Sequence, residues 1–84
     1  MKKTAFVTGA GSGIGRATAI AFAEAGHAVA LVDRAEDAGR AVEADLAGHG
    51  HDVLFLPCDV ADDAAVEQAV AQTMQRFGRL DGSR

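Results

Sequence analysis

The sequence predicts a three-layer α/β/α domain on a partial, doubly wound parallel sheet with strand order 3-2-1. Three observations predict it. Short apolar runs ending on glycine or an acid alternate with longer amphipathic stretches. The alternation reads strand, helix, strand, helix, strand, helix. Each crossover is long enough to bring the chain back parallel to the strand before it, in the right-handed sense such units adopt.

The first strand is the apolar run over residues 4–7, closed by Thr8 and Gly9, as expected of a strand buried on both faces. From residue 13 or 14 to 25 the chain is alanine-rich, carries Ile14, Ile20 and Phe22, and meets a stop at Gly26. That predicts a first helix apolar on most sides and largely buried. Residues 27–33 read as a second buried strand ending on Asp33. The second helix, over 35–47, should turn Ala38, Ala41, Val42 and Leu46 inward and Glu36, Asp37, Arg40, Glu43 and Asp45 outward, with Gly48 and Gly50 closing it. Residues 52–56 form the third strand, and Pro57 just beyond it removes one ladder donor. Asp62 is a suitable N-cap for a third helix over 63–77, with Ala65, Val66, Ala69, Val70 and Met74 on one stripe and Gly78 after it. Leu80 and Asp81 would open a fourth strand, which Gly82, Ser83 and Arg84 leave undeveloped. On that reading the sheet is truncated before its fourth strand, and the first strand keeps an apolar edge open to self-association.

At 84 residues the chain is one domain, 1–84, of a size that buries about 60–65% of the surface its unfolded form exposes. Its stability should be marginal. The content, 49% apolar and 24% charged, is that of a soluble globular protein. The net charge is −4, and apart from Lys2 and Lys3 the basic residues are scattered, so there is no stripe to attract nucleic acid. The start resembles the basic region of a secretory leader, but Thr8 and Gly9 end the apolar run well short of the roughly 7–15 residues needed. No run approaches the roughly 18 apolar residues of a membrane span. The expected location is cytoplasmic, with no membrane partner. A single cysteine, Cys58, has no mate for an internal disulfide, which suits a reducing compartment.

Chemistry concentrates in Thr8-Gly9-Ala10-Gly11-Ser12-Gly13-Ile14-Gly15. A strand running straight into a helix leaves the first N–H groups of that helix unpaired above the strand's carboxyl end, where a pyrophosphate fits. Glycine serves there wherever φ is positive, the backbone must approach phosphate, or the helix packs closely on the sheet. Gly9, Gly13 and Gly15 give G-x-x-x-G-x-G. No register satisfies G-x-G-x-x-G, and Gly15-Arg16 is not the Gly-Lys-Ser/Thr of a nucleoside-triphosphate loop. A glycine-rich turn without a ligand is the bland alternative. The strand before, the helix after and the acid ending the next strand argue against it.

Asp33 stands 18 positions beyond Gly15, near the spacing at which a carboxylate hydrogen-bonds the adenosine ribose. Its charge repels a 2′-phosphate, which favours NAD; NADP stays open because Arg34 and Arg16 could reach such a phosphate. The other reading of Asp33 is a solvated turn residue. Asp59 follows the third strand, again at a carboxyl end, and could accept from an adenine amino group; a turn or helix-cap acid is the equal alternative.

With these places in hand, the chain resembles the beginning of a short-chain dehydrogenase/reductase of the compact branch, on a Rossmann-type fold. Thr8-Gly9-(x)3-Gly13-Ile14-Gly15 matches that branch's cofactor motif, Asp33 its NAD-selecting acid, and Asp59-Val60 its adenine-contacting pair. The resemblance implies that Gly11, Ser12 and Ile14 join Gly9, Gly13 and Gly15 at the phosphates and ribose, with Asp33, Arg34, Asp59 and Val60 at the adenosine. Phe77-Gly78-Arg79-Leu80-Asp81 is similar to the family's run into its fourth strand. It also implies an oxidoreductase that moves hydride between nicotinamide and an alcohol or carbonyl, as a homo-oligomer in its longer form. The family's Asn-Asn-Ala-Gly segment and its Ser and Tyr-x-x-x-Lys are absent here, where there is no tyrosine and the lysines are Lys2 and Lys3. No catalytic residue is therefore assigned, and the 84-residue chain alone is expected to be inactive. A non-catalytic dinucleotide-binding module, or a defective truncated product, is the alternative.

His49 and His51 flank Gly50 in a glycine loop with no third ligand, which reads as exposed loop, and no metal site is assigned. Cys58 beside Asp59 reads as a small core or rim residue, its thiol pKa raised by that charge.

Overall fold

The computed structural model describes residues 3–9 and 12–78 and the backbone of 82–83. Its elements are β1 (Thr4–Thr8), α1 (Gly13–Glu24), β2 (Ala28–Asp33), α2 (Glu36–Gly48), β3 (Val53–Pro57), α3 (Asp63–Phe77) and β4 (Gly82–Ser83). All pairings are parallel, in the order β3-β2-β1-β4. The expected order 3-2-1 holds, and one detail is corrected. A fourth strand does form, at Gly82–Ser83 alongside Ala5 and Phe6, so β1 is not left with a bare edge along its whole length. The physical reason is the crossover: β2 fills one flank of β1, and a chain returning right-handed from α3 meets the other. Leu80 and Asp81, expected to open that strand, lie outside the described residues.

The period of two along each strand divides the core between two faces. Val7, Val29, Leu31 and Phe55 point to the side covered by Ala19 and Ala23 of α1 and Val42 and Leu46 of α2. Their neighbours Phe6, Ala30, Val32 and Leu56 point to the other side, where Ala69 of α3 packs with Cys58. Each strand is apolar at successive positions because both faces are covered.

Three helix readings need correction. α1 is not largely buried: only Gly15, Ala19 and Ala23 are, while Ile14 is 83% exposed. Small residues four apart let the helix backbone close on the sheet along a narrow stripe, and the other alanines answer to helix propensity rather than burial. In α2 the buried stripe is Gly39, Val42 and Leu46, and Ala41 faces solvent. The ring of Phe55 occupies the space beside Gly39, which turns the helix that way. In α3 the fully buried Thr73 takes the place expected of Met74, which is 48% exposed. The Thr73 hydroxyl donates to the Ala69 carbonyl at 2.8 Å, which lets a polar residue sit in the apolar contact.

The stop after α1 works as its glycine suggested. Gly26 takes φ 92°, its N–H donates to the Ala23 carbonyl, and the His27 N–H donates to that of Phe22, both at 3.0 Å. This is the 6→1 and 5→2 pairing of a Schellman end, and the rings of Phe22 and His27 meet across it.

β3 is the outer strand on its side, and its outward groups are dealt with individually. Pro57, its last residue, has no N–H. The Phe55 N–H donates to a Glu43 carboxylate oxygen at 2.7 Å. Glu43, expected to point outward, thus reaches back to the sheet.

Candidate functional site

The carboxyl ends of β1, β2 and β3 lie side by side, and the turn from β1 into α1 rises from the first of them. Gly9 opens that turn with φ 67°, a conformation that side-chain-bearing residues rarely adopt, while its N–H is held by the Val32 carbonyl at 2.9 Å. Ser12 is the N-cap of α1. Its hydroxyl donates to the Gly9 carbonyl at 2.7 Å and accepts from the Gly15 N–H at 3.1 Å. Its own N–H donates to Gly9 at 3.0 Å.

These bonds account for two of the four N–H groups that a helix start leaves without an intrahelical partner, those of Ser12 and Gly15. The N–H groups of Gly13 and Ile14 stand between them on the exposed first turn. Gly13 needs no positive φ, and a Cβ there would meet nothing within 4 Å. Neither the backbone nor the protein's own packing therefore asks for glycine at 13. A glycine there leaves the exposed positive end of the helix without a side chain at that position, and such an end stabilises an anion. Gly15 is buried, as expected of the glycine that brings α1 onto the sheet.

Beside this turn lies a cleft of about 250 Å³ lined by Gly9, Asp33, Arg34, Cys58, Asp59 and Val60. Three strand ends converge there because the Cys58 N–H donates to the Asp33 carbonyl at 3.0 Å, extending the pairing of β2 and β3 past the last ladder position. Asp33 accepts from the Ala35 N–H at 2.9 Å, so its carboxylate shapes the turn into α2 while facing the cleft. Asp59 is likewise both a turn acid and part of the cleft lining, and its contact with Arg34 was not foreseen. One carboxylate oxygen accepts from the Ala61 N–H at 3.0 Å, and the other lies 3.6 Å from the Arg34 guanidinium. Val60 is 52% exposed at the cleft's rim.

Of the residues singled out in the sequence, Gly9, Asp33, Arg34, Asp59 and Val60 share one cleft, and Ser12, Gly13, Ile14 and Gly15 form the helix start beside it. Gly11 lies outside the described residues. Cys58, read only as core or rim, also joins the cleft wall. Its signal was available, since it continues the alternation of Leu54 and Leu56 one step beyond β3. Burial pushes the thiol pKa up, and the carboxylates of Asp62 and then Asp59 push it further. The sequence pointed to Asp59 alone. His49 caps its own helix, with Nδ1 2.8 Å from the Asp45 carbonyl. Among the described residues no three His, Cys, Asp or Glu side chains cluster to hold a metal, and no helix is long and apolar enough to cross a membrane.

A parallel sheet with helices on both faces and a crevice at its carboxyl edge places the chain among α/β proteins of the Rossmann type. The short chain dehydrogenase model matches residues 3–82, and the chain belongs to that family. It is 46% identical over 79 residues to an L-fucose dehydrogenase of Bos taurus, covering 94% of this chain and 28% of that protein. With a 2,5-dichloro-2,5-cyclohexadiene-1,4-diol dehydrogenase of Sphingobium indicum the identity is 44% over 81 residues, covering 96% and 31%. Among solved structures, a short chain dehydrogenase/reductase from Burkholderia phymatum in complex with NAD superimposes with TM-score 0.96 at 33% identity, covering 98% of this chain and 29% of that one. An NAD+-bound xylitol dehydrogenase gives 0.91 at 38%, covering 96% and 31%. The chain thus spans about three tenths of the length of the relatives it matches.

Proposed function

We propose that this chain is the dinucleotide-binding part of a short-chain oxidoreductase, that it takes NAD in preference to NADP, and that the longer protein moves hydride between the nicotinamide and an alcohol or carbonyl substrate. One observation carries the reading. The acid-lined cleft of Asp33 and Asp59 opens beside the exposed start of α1, where Gly13 carries no side chain. The NAD held by two of the superimposed neighbours supports it.

In this arrangement the Gly13 and Ile14 N–H groups hold the pyrophosphate, and Ser12 keeps the turn rigid through Gly9 and Gly15. The Asp33 carboxylate accepts from the adenosine ribose hydroxyls and repels a 2′-phosphate. Asp59 and Val60 border the adenine. The nicotinamide supplies the hydride chemistry when the cofactor is bound. With no tyrosine in the chain, no residue here serves as the family's proton donor, so the 84-residue chain binds cofactor without turning it over.

Calorimetric titration tests this. NAD should bind the 84-residue chain more tightly than NADP, Asp33→Ala should narrow the difference, and no change in NADH absorbance should follow addition of alcohols or ketones. Binding of neither dinucleotide to the folded chain overturns the reading.

A further inference from the structure

We propose that Asp59 is a positioning residue for dinucleotide preference: by pairing with Arg34 it withholds from a 2′-phosphate the cation that the described residues place on the cleft wall. This deepens the dinucleotide reading and rests on it.

Arg34, directly after Asp33, is the only basic residue among the described residues that line the cleft. A guanidinium in that place is suited to gripping a phosphate in two-pronged fashion. Its Nη1 lies 3.6 Å from Asp59, its ion-pair partner among the described residues. Asp59 is prepared for this role. One carboxylate oxygen is anchored by the Ala61 N–H, its carbonyl is held by the Asp62 N–H at 2.9 Å, and the second oxygen is left turned to Arg34. The bond from the Cys58 N–H to the Asp33 carbonyl sets the two residues on facing lips of the cleft.

The consequence is asymmetric between the two dinucleotides. NAD presents a ribose hydroxyl at this place and asks nothing of Arg34. NADP presents a doubly charged phosphate, and Arg34 must leave Asp59 to meet it. The pair therefore weakens NADP binding and leaves NAD untouched. Both side chains are substantially exposed, at 74% and 47%, which limits the effect. An exposed pair of this kind supports a change of about two- to fivefold.

The test is a double-mutant cycle read as the ratio of NADP to NAD affinity by calorimetry. Asp59→Asn keeps the oxygen that accepts from Ala61 and removes the charge that holds Arg34. It should raise the ratio by about two- to fivefold. Arg34→Ala alone should not raise the ratio, because it removes the cation that meets the phosphate, and in combination it should erase the gain. Any loss of adenine contact in Asp59→Asn affects both dinucleotides and cancels in the ratio. An unchanged ratio in Asp59→Asn overturns the proposal, as does a gain that persists without Arg34, because that gain would come from net charge alone. Equal melting temperatures across the set confirm that folding is unaffected. If the parent chain binds neither dinucleotide, the dinucleotide reading has failed and this inference falls with it. If NAD binds and the ratio does not move, only this inference fails.

Discussion

The ring of Phe55 fills the space that a side chain on Gly39 would need, and a Cβ at that position would sit well inside van der Waals contact with the ring. Two neighbours on α2 complete the clamp. The Glu43 carboxylate accepts from the Phe55 N–H, and the Arg40 guanidinium lies 5.2 Å from the ring centre. Helix α2 follows the strand end that bears Asp33, and β3 leads into Asp59, so the clamp holds α2 against the strand that runs to the cleft.

Gly39→Ala should destabilise the protein in spite of alanine's better helix propensity. Overpacking costs about 1–3 kcal/mol and the helix gains about 1, which leaves a net loss of up to about 2 kcal/mol. Urea unfolding followed by circular dichroism measures it. A stability equal to or above the parent's would show that the ring moves aside freely.

Glu43→Ala should cost about 1–2 kcal/mol by leaving the Phe55 N–H without its charged acceptor on an outer strand. Glu43→Gln retains an acceptor oxygen and should lose half of that or less. The two unfolding free energies, compared side by side, separate the hydrogen bond from the ion pair of Glu43 with Arg40.

Ser12→Ala removes the hydroxyl that joins Gly9 to Gly15 at the start of α1. The expected loss is about 1 kcal/mol, with Ser12→Thr close to the parent, since threonine caps by the same geometry. Amide exchange should quicken first at Gly15, whose N–H is the capped one. An unchanged rate at Gly15 would contradict the role of the cap.

Cys58 should react slowly with thiol reagents at neutral pH, because burial first, then Asp62 and Asp59, hold its pKa above that of an ordinary thiol. The rate of alkylation against pH should show a midpoint above that of unfolded chain. In linkage terms the folded state keeps this proton to higher pH than the unfolded state. The stabilisation is therefore complete below the unfolded thiol's pKa and is lost as pH rises from there through the folded value. Cys58→Ala should lack that alkaline component of the pH profile, and a parent profile flat in this range would contradict the raised pKa.

Much of the site was legible before any coordinates. Gly9, Gly13 and Gly15 declare a strand-to-helix turn through their spacing, and the positive φ at Gly9 is a local requirement that leaves a local mark, whereas the capping role of Ser12 emerges only in the structure. The acids ending β2 and following β3 were legible for the same reason, as were the stops at Gly26 and Gly78. The helix faces were less so. The alanines of α1 look buried by composition, yet only the stripe of Gly15, Ala19 and Ala23 is, since alanine marks helix propensity as readily as burial.

By itself, then, the sequence determined the order of strands and helices, the two-sided burial of the strands, the glycine turn and the acids at the strand ends, all of which follow from local chemistry and the period of the chain. Only the tertiary structure decided that Gly39 yields to Phe55, that Glu43 turns back to β3, that Gly82–Ser83 pairs with β1, and that Arg34 and Asp59 meet across the cleft. Those relationships join residues far apart in the chain, and their geometry depends on how the helices rotate on the sheet and how the strand ends align. Neither is written in any local stretch of residues.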